Sequence, residues 1–306
     1  MKHLRIGTAL AVVLVLGTFT TGNAYSSSAA QAAQDEALRA VMASMNAQLE
    51  AQGADYRVDV VEWMTAPGGE VTGNTVFFNN RGNKQLGSHF VPGHPFTPGQ
   101  FFVPYIVDLA DGATTSGLGA ATTQAAIDRA MGTWDGQNCS MIPIANFGGV
   151  GFDVGIVQWA LGFGGDPGLF VAGGIMHAGW LPRGFFDLLA PSGGDFILGA
   201  TFTFSWVGGD SNNDGKSDTA FREIYYNDNF GWAIDSNFDV ETVALHEAGH
   251  GLSQGHFGKL FRTDKNGKFH FAPTAVMNAG YTGVQQSPLG TDNGGHCSIW
   301  GSWPNQ

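Results

Sequence analysis

The residues best suited to chemistry lie in one short stretch, residues 246–256, which read HEAGHGLSQGH. His246 and His250 are four residues apart, so on a helix their imidazoles project from the same face and can bind one ion. Glu247 is displaced around the helix, where its carboxylate can reach a water molecule beside that ion without binding the ion. The glycines that follow are poor helix formers, so the helix should end there and the chain can bring back His256 as a third ligand.

Three neutral imidazole nitrogens with an open fourth position form a ligand set typical of catalytic Zn²⁺. Zinc lowers the pKa of a water molecule to about 7, and Glu247 is then placed to act as general base when that water attacks a carbonyl carbon. The alternative is a chance HExxH pattern on a surface helix. Only 9 of the 306 residues are histidine, so a third histidine at the required spacing favours a zinc site.

A candidate methionine turn follows the histidines, in residues 275–281, which read AVMNAGY. Together the two motifs resemble the metzincin zinc metallopeptidases, and the matrixin branch in particular, whose signature is HExxHxxGxxH followed by a methionine turn. The resemblance implies that Met277 lies beneath the zinc as an apolar floor and that Tyr281 helps to form the S1′ wall. It also implies an α+β catalytic domain with a twisted mixed sheet, an active-site helix and a Met-turn subdomain. Without the upstream motif, Met277 would be interpreted as an ordinary core methionine.

The chain departs from the matrixin pattern at several positions. Ser253 replaces the signature glycine, which usually permits a left-handed backbone, and a non-glycine residue there costs roughly 1 kcal/mol or more. We expect Gly251 and Gly255 to make the serine tolerable by shifting the turn. Ala279 stands where matrixins usually have proline. The sequence also lacks the PRCGxPD-type cysteine switch of the family, so an inhibitory N-terminal region would have to act by another route.

Patterns of apolar residues predict the elements around this motif. Spacings of three and four predict helices over residues 34–52 and 122–134. β-rich runs predict strands over the ranges 56–63, 75–79, 101–109, 196–206 and 221–227. Asp239 is a favourable N-cap for the helix that carries the histidines. The resemblance implies that residues 196–206 form the edge strand that pairs with an extended substrate.

The chain divides into three predicted regions. Residues 1–24 have the layout of a secretory signal peptide, with two cationic residues ahead of an apolar run that is too short for a membrane-spanning helix. Residues 25–95 form an N-terminal region that is a possible propeptide, ending in a turn-rich stretch with three prolines. Residues 96–306 form the predicted metallopeptidase domain. The sequence therefore predicts an exported protein, secreted or periplasmic, and the alternative is an N-terminal membrane anchor.

Charge and cysteine content indicate which binding partners and which cellular compartment to expect. Acidic residues outnumber basic ones by 26 to 14, and a net charge of −12 disfavours nucleic acid and anionic membranes as partners. Protein or peptide substrates are expected instead. The two cysteines, Cys139 and Cys297, most simply form a disulfide in an exported protein. Metal binding is the rival interpretation, but no CxxC spacing supports it.

A second cation site is predicted in residues 210–218, which read DSNNDGKSD. The spacing matches the front of an EF-hand-like calcium loop, in which Lys216 would offer its backbone carbonyl. The predicted Ca²⁺ ligands are Asp210, Asn212, Asp214, Lys216 and Asp218. Position 12 of the loop is Phe221 rather than a bidentate glutamate. The alternative is a solvated acidic turn between two strands.

These features support a secreted zinc metalloendopeptidase as the first functional hypothesis. The second is an exported metal-containing binding or adhesive protein without turnover, which the high glycine and aromatic content and Ser253 would suit. A third is a zinc hydrolase that acts on a non-peptide bond. The first is favoured because Glu247 has no structural purpose in a zinc site that only binds. The sequence does not predict which substrate is cleaved.

Overall fold

The computed structural model describes residues 28–67, 73–79, 87–263 and 269–305. These residues form an α+β fold around an eight-stranded, mixed and twisted sheet, as the sequence predicts. Its strands are β1 (Tyr56–Thr65), β2 (Asn74–Phe77), β3 (Ser88–His89), β4 (Val103–Asp108), β5 (Ile144–Val150), β6 (Ile175–Leu181), β7 (Ile197–Trp206) and β8 (Ser217–Asn227). Two small pairs follow, β9 (Trp232–Ala233) with β10 (Phe238–Asp239), and β11 (Lys259–Arg262) with β12 (Phe269–Ala272). The predicted signal peptide, residues 1–24, lies outside the described residues.

Six α-helices are described, of which three are long. They are α1 (Ser28–Ala51), α2 (Ala120–Asp135), α3 (Ile156–Leu161), α4 (Arg183–Asp187), α5 (Val240–Gly251) and α6 (Gly290–Trp300). The first long helix begins six residues earlier than the pattern of apolar residues predicts, and α2 extends the predicted range slightly at both ends. Within the described ranges, no helix has the length and apolar character needed to cross a membrane.

The main path of the sheet runs in the order β2-β1-β7-β8-β6-β4-β5, and β3 pairs with the start of β8. Along β2, β1, β7 and β8, each strand is antiparallel to its neighbour. Along β8, β6, β4 and β5, each strand is parallel to its neighbour. All ten residues of β7 are buried. A strand buried on both faces requires a cover of helices on each side of the sheet.

Helices pack on both faces of the sheet and create two apolar cores. On one face, α1, α3 and α4 cover the antiparallel half, and α1 contributes Leu38, Met42, Met45 and Leu49, each at most 1% exposed. Burial of each such side chain is worth about 1.5–3 kcal/mol, which fixes α1 to the sheet. On the opposite face, α2 and α5 pack together, and α2 contributes Ile127, Ala130, Met131 and Trp134.

The N-terminal region is part of this sheet, because β1 lies between β2 and β7 in one ladder. Its pairing with β7 extends from Tyr56 opposite Trp206 to Thr65 opposite Ile197. The expectation that residues 196–206 form an edge strand is therefore wrong. The position beside β7 that an extended substrate was expected to take is filled by a strand of the same chain.

A disulfide between Cys139 and Cys297 joins the end of α2 to α6, with 5.3 Å between the two Cα atoms. The bond closes a loop of 158 residues, for which the chain-entropy model gives about 5 kcal/mol of stabilisation. Trp300, at the end of the same helix, donates from Nε1 to the carbonyl of Leu252 over 2.8 Å. The disulfide therefore anchors a helix that supports the turn after α5.

Candidate metal centre

Helix α5 carries the first two predicted ligands and is fixed at both ends. Asp239 is its N-cap, and the carboxylate accepts a hydrogen bond from Thr242 N over 2.9 Å. Glu241 adds a negative charge in the first turn, where the helix dipole favours it. The helix ends at Gly251, and all twelve of its residues are buried. His246 and His250 are thus presented from a rigid, buried element.

The three predicted imidazoles converge. The Nε2 atom of His250 lies 3.1 Å from Nε2 of His246 and 3.1 Å from Nε2 of His256. The ligand atoms of all three lie within 4.8 Å of one another, and within the described part of the chain this is the one group of histidine, cysteine or acidic residues that meets this criterion. A tetrahedral zinc ion with Zn–N bonds of about 2.0–2.1 Å separates its nitrogen ligands by about 3.3 Å, so the set fits zinc.

Backbone carbonyls fix the protonation of two of these rings. His246 Nδ1 lies 2.7 Å from Val276 O, and His250 Nδ1 lies 2.7 Å from Gln254 O. A carbonyl oxygen can only accept, so each Nδ1 carries the hydrogen and each neutral ring turns a lone pair outward at Nε2. Lone pairs that meet at this distance repel one another unless a cation lies between them. The three imidazoles could therefore hold a metal ion.

Burial keeps these imidazoles in the neutral form that binds metal. It lowers the pKa of His250 to about 4 and lowers the pKa of His246 well below its ordinary value. His256 is partly exposed beyond the helix, and its pKa is also lowered, first by desolvation and then by the two neighbouring histidines. Neutral rings are the form in which histidine binds zinc, so little proton competition is expected near neutral pH.

Glu247 is fully buried beside the histidines. Its Oε2 accepts a hydrogen bond from Thr201 Oγ1 over 2.7 Å, and its Oε1 accepts one from the backbone N–H of Met64 over 3.3 Å. Burial raises the pKa of Glu247 to about 8, although the hydrogen bond from Thr201 lowers it. The carboxylate is thus oriented by β7 and β1. Neither partner could be predicted from the sequence, because both are distant from Glu247 along the chain.

Met277 packs against α5 between the two helical histidines, and its role as an apolar floor for zinc stays a prediction. Met277 is fully buried, and a Cβ atom added at Gly249 would lie 2.2 Å from its sulfur. Glycine is therefore required between the two helical histidines to admit the methionine. Asp292 of α6 holds the turn, because its carboxylate accepts the backbone N–H groups of Val276 and Met277 over 2.9 and 3.0 Å.

Tyr281, the predicted residue of the S1′ wall, lies beside the start of α5. It is 5% exposed, and its hydroxyl donates to Asn237 O over 2.6 Å while accepting from Asp239 N over 3.1 Å. The ring is therefore tied to the start of α5. Its backbone N–H donates to Thr65 O over 2.8 Å, so the segment that carries Tyr281 also pairs with β1.

Ser253 itself takes the left-handed conformation that the signature glycine would take, with a φ of 68°. The expectation that Gly251 and Gly255 would shift the turn is wrong, since Gly251 is helical and neither glycine has a positive φ. The serine hydroxyl accepts a hydrogen bond from Arg222 Nη2 over 2.9 Å. This contact offsets backbone strain that costs roughly 1–2 kcal/mol.

Arg222 lies almost fully buried under this turn. It also donates to Gly251 O and, over 3.1 Å, to Thr203 Oγ1. Burial lowers the pKa of Arg222 to about 10, while the nearby Glu62 raises it. The guanidinium therefore joins β8 to the last turn of α5. Loss of an acceptor for this buried cation is expected to be costly.

Substitutions at Ser253 separate the hydroxyl from the backbone conformation. We expect Ser253→Ala to lower the free energy of unfolding by about 1.5–3 kcal/mol, because it removes an acceptor from a buried guanidinium and keeps the strain. Ser253→Gly loses the same acceptor but relieves the strain, so it should be more stable than the alanine variant by about 1 kcal/mol. Urea unfolding measures both, and elemental analysis should find zinc retained in each. A glycine variant that is the less stable of the two, or that lacks zinc, would contradict this account.

The three acidic residues of the predicted calcium loop, Asp210, Asp214 and Asp218, do not form a cluster of ligand atoms within 4.8 Å of one another, and calcium binding there stays a prediction. Asp210 accepts the backbone N–H groups of Asp214 and Gly215 over 2.8 and 3.1 Å. One oxygen of Asp214 contacts Lys216 Nζ at 2.5 Å and His89 Nε2 at 3.1 Å. The carboxylates of the loop therefore bind the protein's own donors, and they do not converge as the three histidines do. The prediction used spacing along the loop, whereas side-chain direction depends on these contacts.

A cavity of about 1190 Å³ opens beside His256. Its lining includes Glu62, Arg222, Ser253 and Gln254. The Oε1 atom of Glu62 lies 3.4 Å from His250 Nδ1, and burial raises the pKa of Glu62 to about 7 while Arg222 lowers it. The volume is large enough for several residues of an extended ligand.

Comparisons with protein-family models, with curated proteins and with solved structures find no match to this chain. The proposed function therefore rests on the donor atoms, contacts and burial of the site itself.

Proposed function

We propose that this protein is a zinc-dependent endopeptidase of the metzincin type. The observation that carries the proposal is the convergence of three imidazole Nε2 atoms, from His246, His250 and His256, with a buried carboxylate next to the first of them in sequence. A site that only binds metal has no need for a glutamate that two other strands orient. The buried methionine under the helix and the tyrosine beside it support the matrixin-like assignment.

In this proposal the three histidines hold zinc, which supplies Lewis-acid polarisation of the carbonyl and a lowered pKa for the attacking water. Thr201 binds Oε2 of Glu247, and Oε1 accepts a hydrogen bond from Met64 N of β1. Glu247 takes the proton of the water and then delivers it to the leaving amine. The hydrogen bond from Met64 N to its Oε1 supports this role, since it is a contact of the carboxylate with a backbone amide nitrogen.

The shape of the site favours a peptide as the substrate. β7 and the segment that carries Ala279 and Tyr281 direct backbone groups at the end of β1, which lies between them. An extended peptide can satisfy both rows of groups, as in β-strand addition. A small non-peptide ester would leave most of them unpaired, at a cost of about 1–3 kcal/mol for each buried group.

Removal and return of the metal tests the function. Protein loaded with zinc is incubated with denatured casein, with and without a chelator, and cleavage sites are read by mass spectrometry. We expect cleavage within peptide chains that stops on chelation and returns with added zinc. Cleavage that the chelator leaves unchanged would contradict the proposal. If both the parent chain and its Thr65→Pro variant bind one zinc ion per chain but cleave nothing, the alternative of a metal-binding protein without turnover would be favoured.

A further inference from the structure

The strand β1 passes through the site at the level of Glu247. Met64 N donates to Glu247 Oε1, and Met64 lies opposite Gly199 of β7 in the ladder. A Cβ atom at Gly199 would lie 2.9 Å from Cγ of Glu247, so β7 passes close to the carboxylate at the same point. The peptide bond between Trp63 and Met64 is therefore the one presented to the candidate general base.

Backbone hydrogen bonds hold the end of β1 on both sides. Thr65 N donates to Ala279 O over 3.2 Å, and Tyr281 N donates to Thr65 O over 2.8 Å, which makes a parallel bridge with the segment after the methionine turn. On the other side, Ala66 N donates to Phe196 O over 2.7 Å just before β7. β1 thus satisfies the two rows of backbone groups that an extended substrate would need.

The side chains of this segment also fill the site. Met64 is 3% exposed and belongs to the apolar cluster that includes Val243 and Tyr281. Glu247 has no exposed surface while β1 is in place, so the water that it must deprotonate has no room beside it. A substrate and β1 cannot occupy this space together.

From these contacts we propose that β1 is an internal occupant of the substrate cleft. The chain has low activity because the segment that contains Trp63, Met64 and Thr65 must be displaced before a substrate can bind. The ligand that replaces it is an extended peptide with an unbranched or γ-branched apolar side chain in the place of Met64. This inference rests on the proposed peptidase function for its meaning, but the occupancy itself is measurable without hydrolysis.

A proline at position 65 tests the occupancy. Thr65→Pro removes the N–H that binds Ala279 O at the last residue of the strand, where a proline ring disturbs the ladder least. Arg57→Pro changes the same strand at its other end, opposite Ser205, and is the matched control. The probe is a peptide hydroxamate with a leucine side chain, which needs the metal and the cleft but no turnover.

Loosening the occupant should raise the affinity for the probe, because apparent affinity scales with the fraction of molecules whose cleft is open. We expect Thr65→Pro to bind the probe about fivefold or more tightly than the parent chain, since it loses the hydrogen bonds to Ala279 O from both Thr65 N and Thr65 Oγ1. Casein hydrolysis should rise in parallel, and Arg57→Pro should match the parent. Equal probe affinity and equal hydrolysis in all three folded chains would overturn the occupancy. Tighter probe binding without hydrolysis in any chain would support the occupancy and contradict the peptidase function.

If Thr65→Pro does not fold, hydrogen exchange on the parent chain tests whether β1 occupies the cleft. With zinc bound, saturating probe should displace the strand and speed amide exchange in residues 58–65 by about tenfold or more, since these amides lose their ladder partners. Helix α2, which packs against α5 and β5, should keep its protection if only the strand is displaced. Unchanged exchange in residues 58–65 with the probe bound would overturn the proposal.

Discussion

Glu247→Gln is expected to lower kcat/KM for peptide hydrolysis by about 10²- to 10⁴-fold, the range that a general base contributes. The amide keeps the shape of the side chain and can still accept from Thr201, but it cannot take a proton from water. Zinc content should not change, because none of the three ligand nitrogens is altered. Initial rates on a fluorogenic peptide and elemental analysis measure the two quantities.

The effect of Glu247→Gln is measured in two chains, because β1 limits access to Glu247 in the parent. Glu247→Gln is compared with its parent in the unchanged chain and also in the Thr65→Pro chain, in which the cleft is expected to be open. Thr201→Val is the partial variant, since it removes the hydrogen bond to the carboxylate and keeps the base. We expect it to retain more activity than Glu247→Gln. Full activity in the glutamine variant would exclude Glu247 as the general base.

His256→Ala is expected to weaken zinc binding by more than about 100-fold. Loss of a group that merely orients a ligand costs about 10- to 100-fold in metal affinity, so loss of a ligand should cost more. His256 is the best of the three to replace, because it lies beyond the helix and is partly exposed, whereas His246 and His250 are fully buried. Competition with a chromophoric chelator measures the affinity.

The control for this substitution is His270→Ala. His270 is exposed on β12, and its Nε2 lies 3.3 Å from Thr263 Oγ1, away from the metal centre. The change of residue type is the same, so any general effect of losing an imidazole is matched. We expect the control to bind one equivalent of zinc with unchanged affinity. The assignment of His256 as a ligand would be refuted by equal affinity in the two variants.

The sequence alone was sufficient to predict the convergence of the ligands. Two histidines four residues apart on a helix share a face by local geometry, and a third can return because glycine-rich residues end the helix. The N-cap at Asp239, the apolar stripe of α1 and the strand pattern of β7 are equally local. Such features depend on periods of two or three to four residues, which a sequence displays directly.

Other features were decided by tertiary structure. Met64 and Glu247 are 183 residues apart in the chain, and no local pattern relates them. The same holds for Arg222, which explains the serine at the signature position, and for the carboxylate of Asp292 that holds the methionine turn. Calcium binding by residues 210–218 stays a prediction for a related reason, since spacing along a loop does not specify which donors its carboxylates meet.

The placement of β1 shows most clearly the difference between what local sequence determines and what tertiary structure determines. Its alternating residues predict a strand, and the strand is present with nearly the predicted bounds. Which strand it joins depends on long-range pairing, because any exposed backbone edge of suitable register can accept it. The sequence therefore determined the chemistry of the metal centre, whereas the tertiary structure determined that a segment of the same chain lies across it.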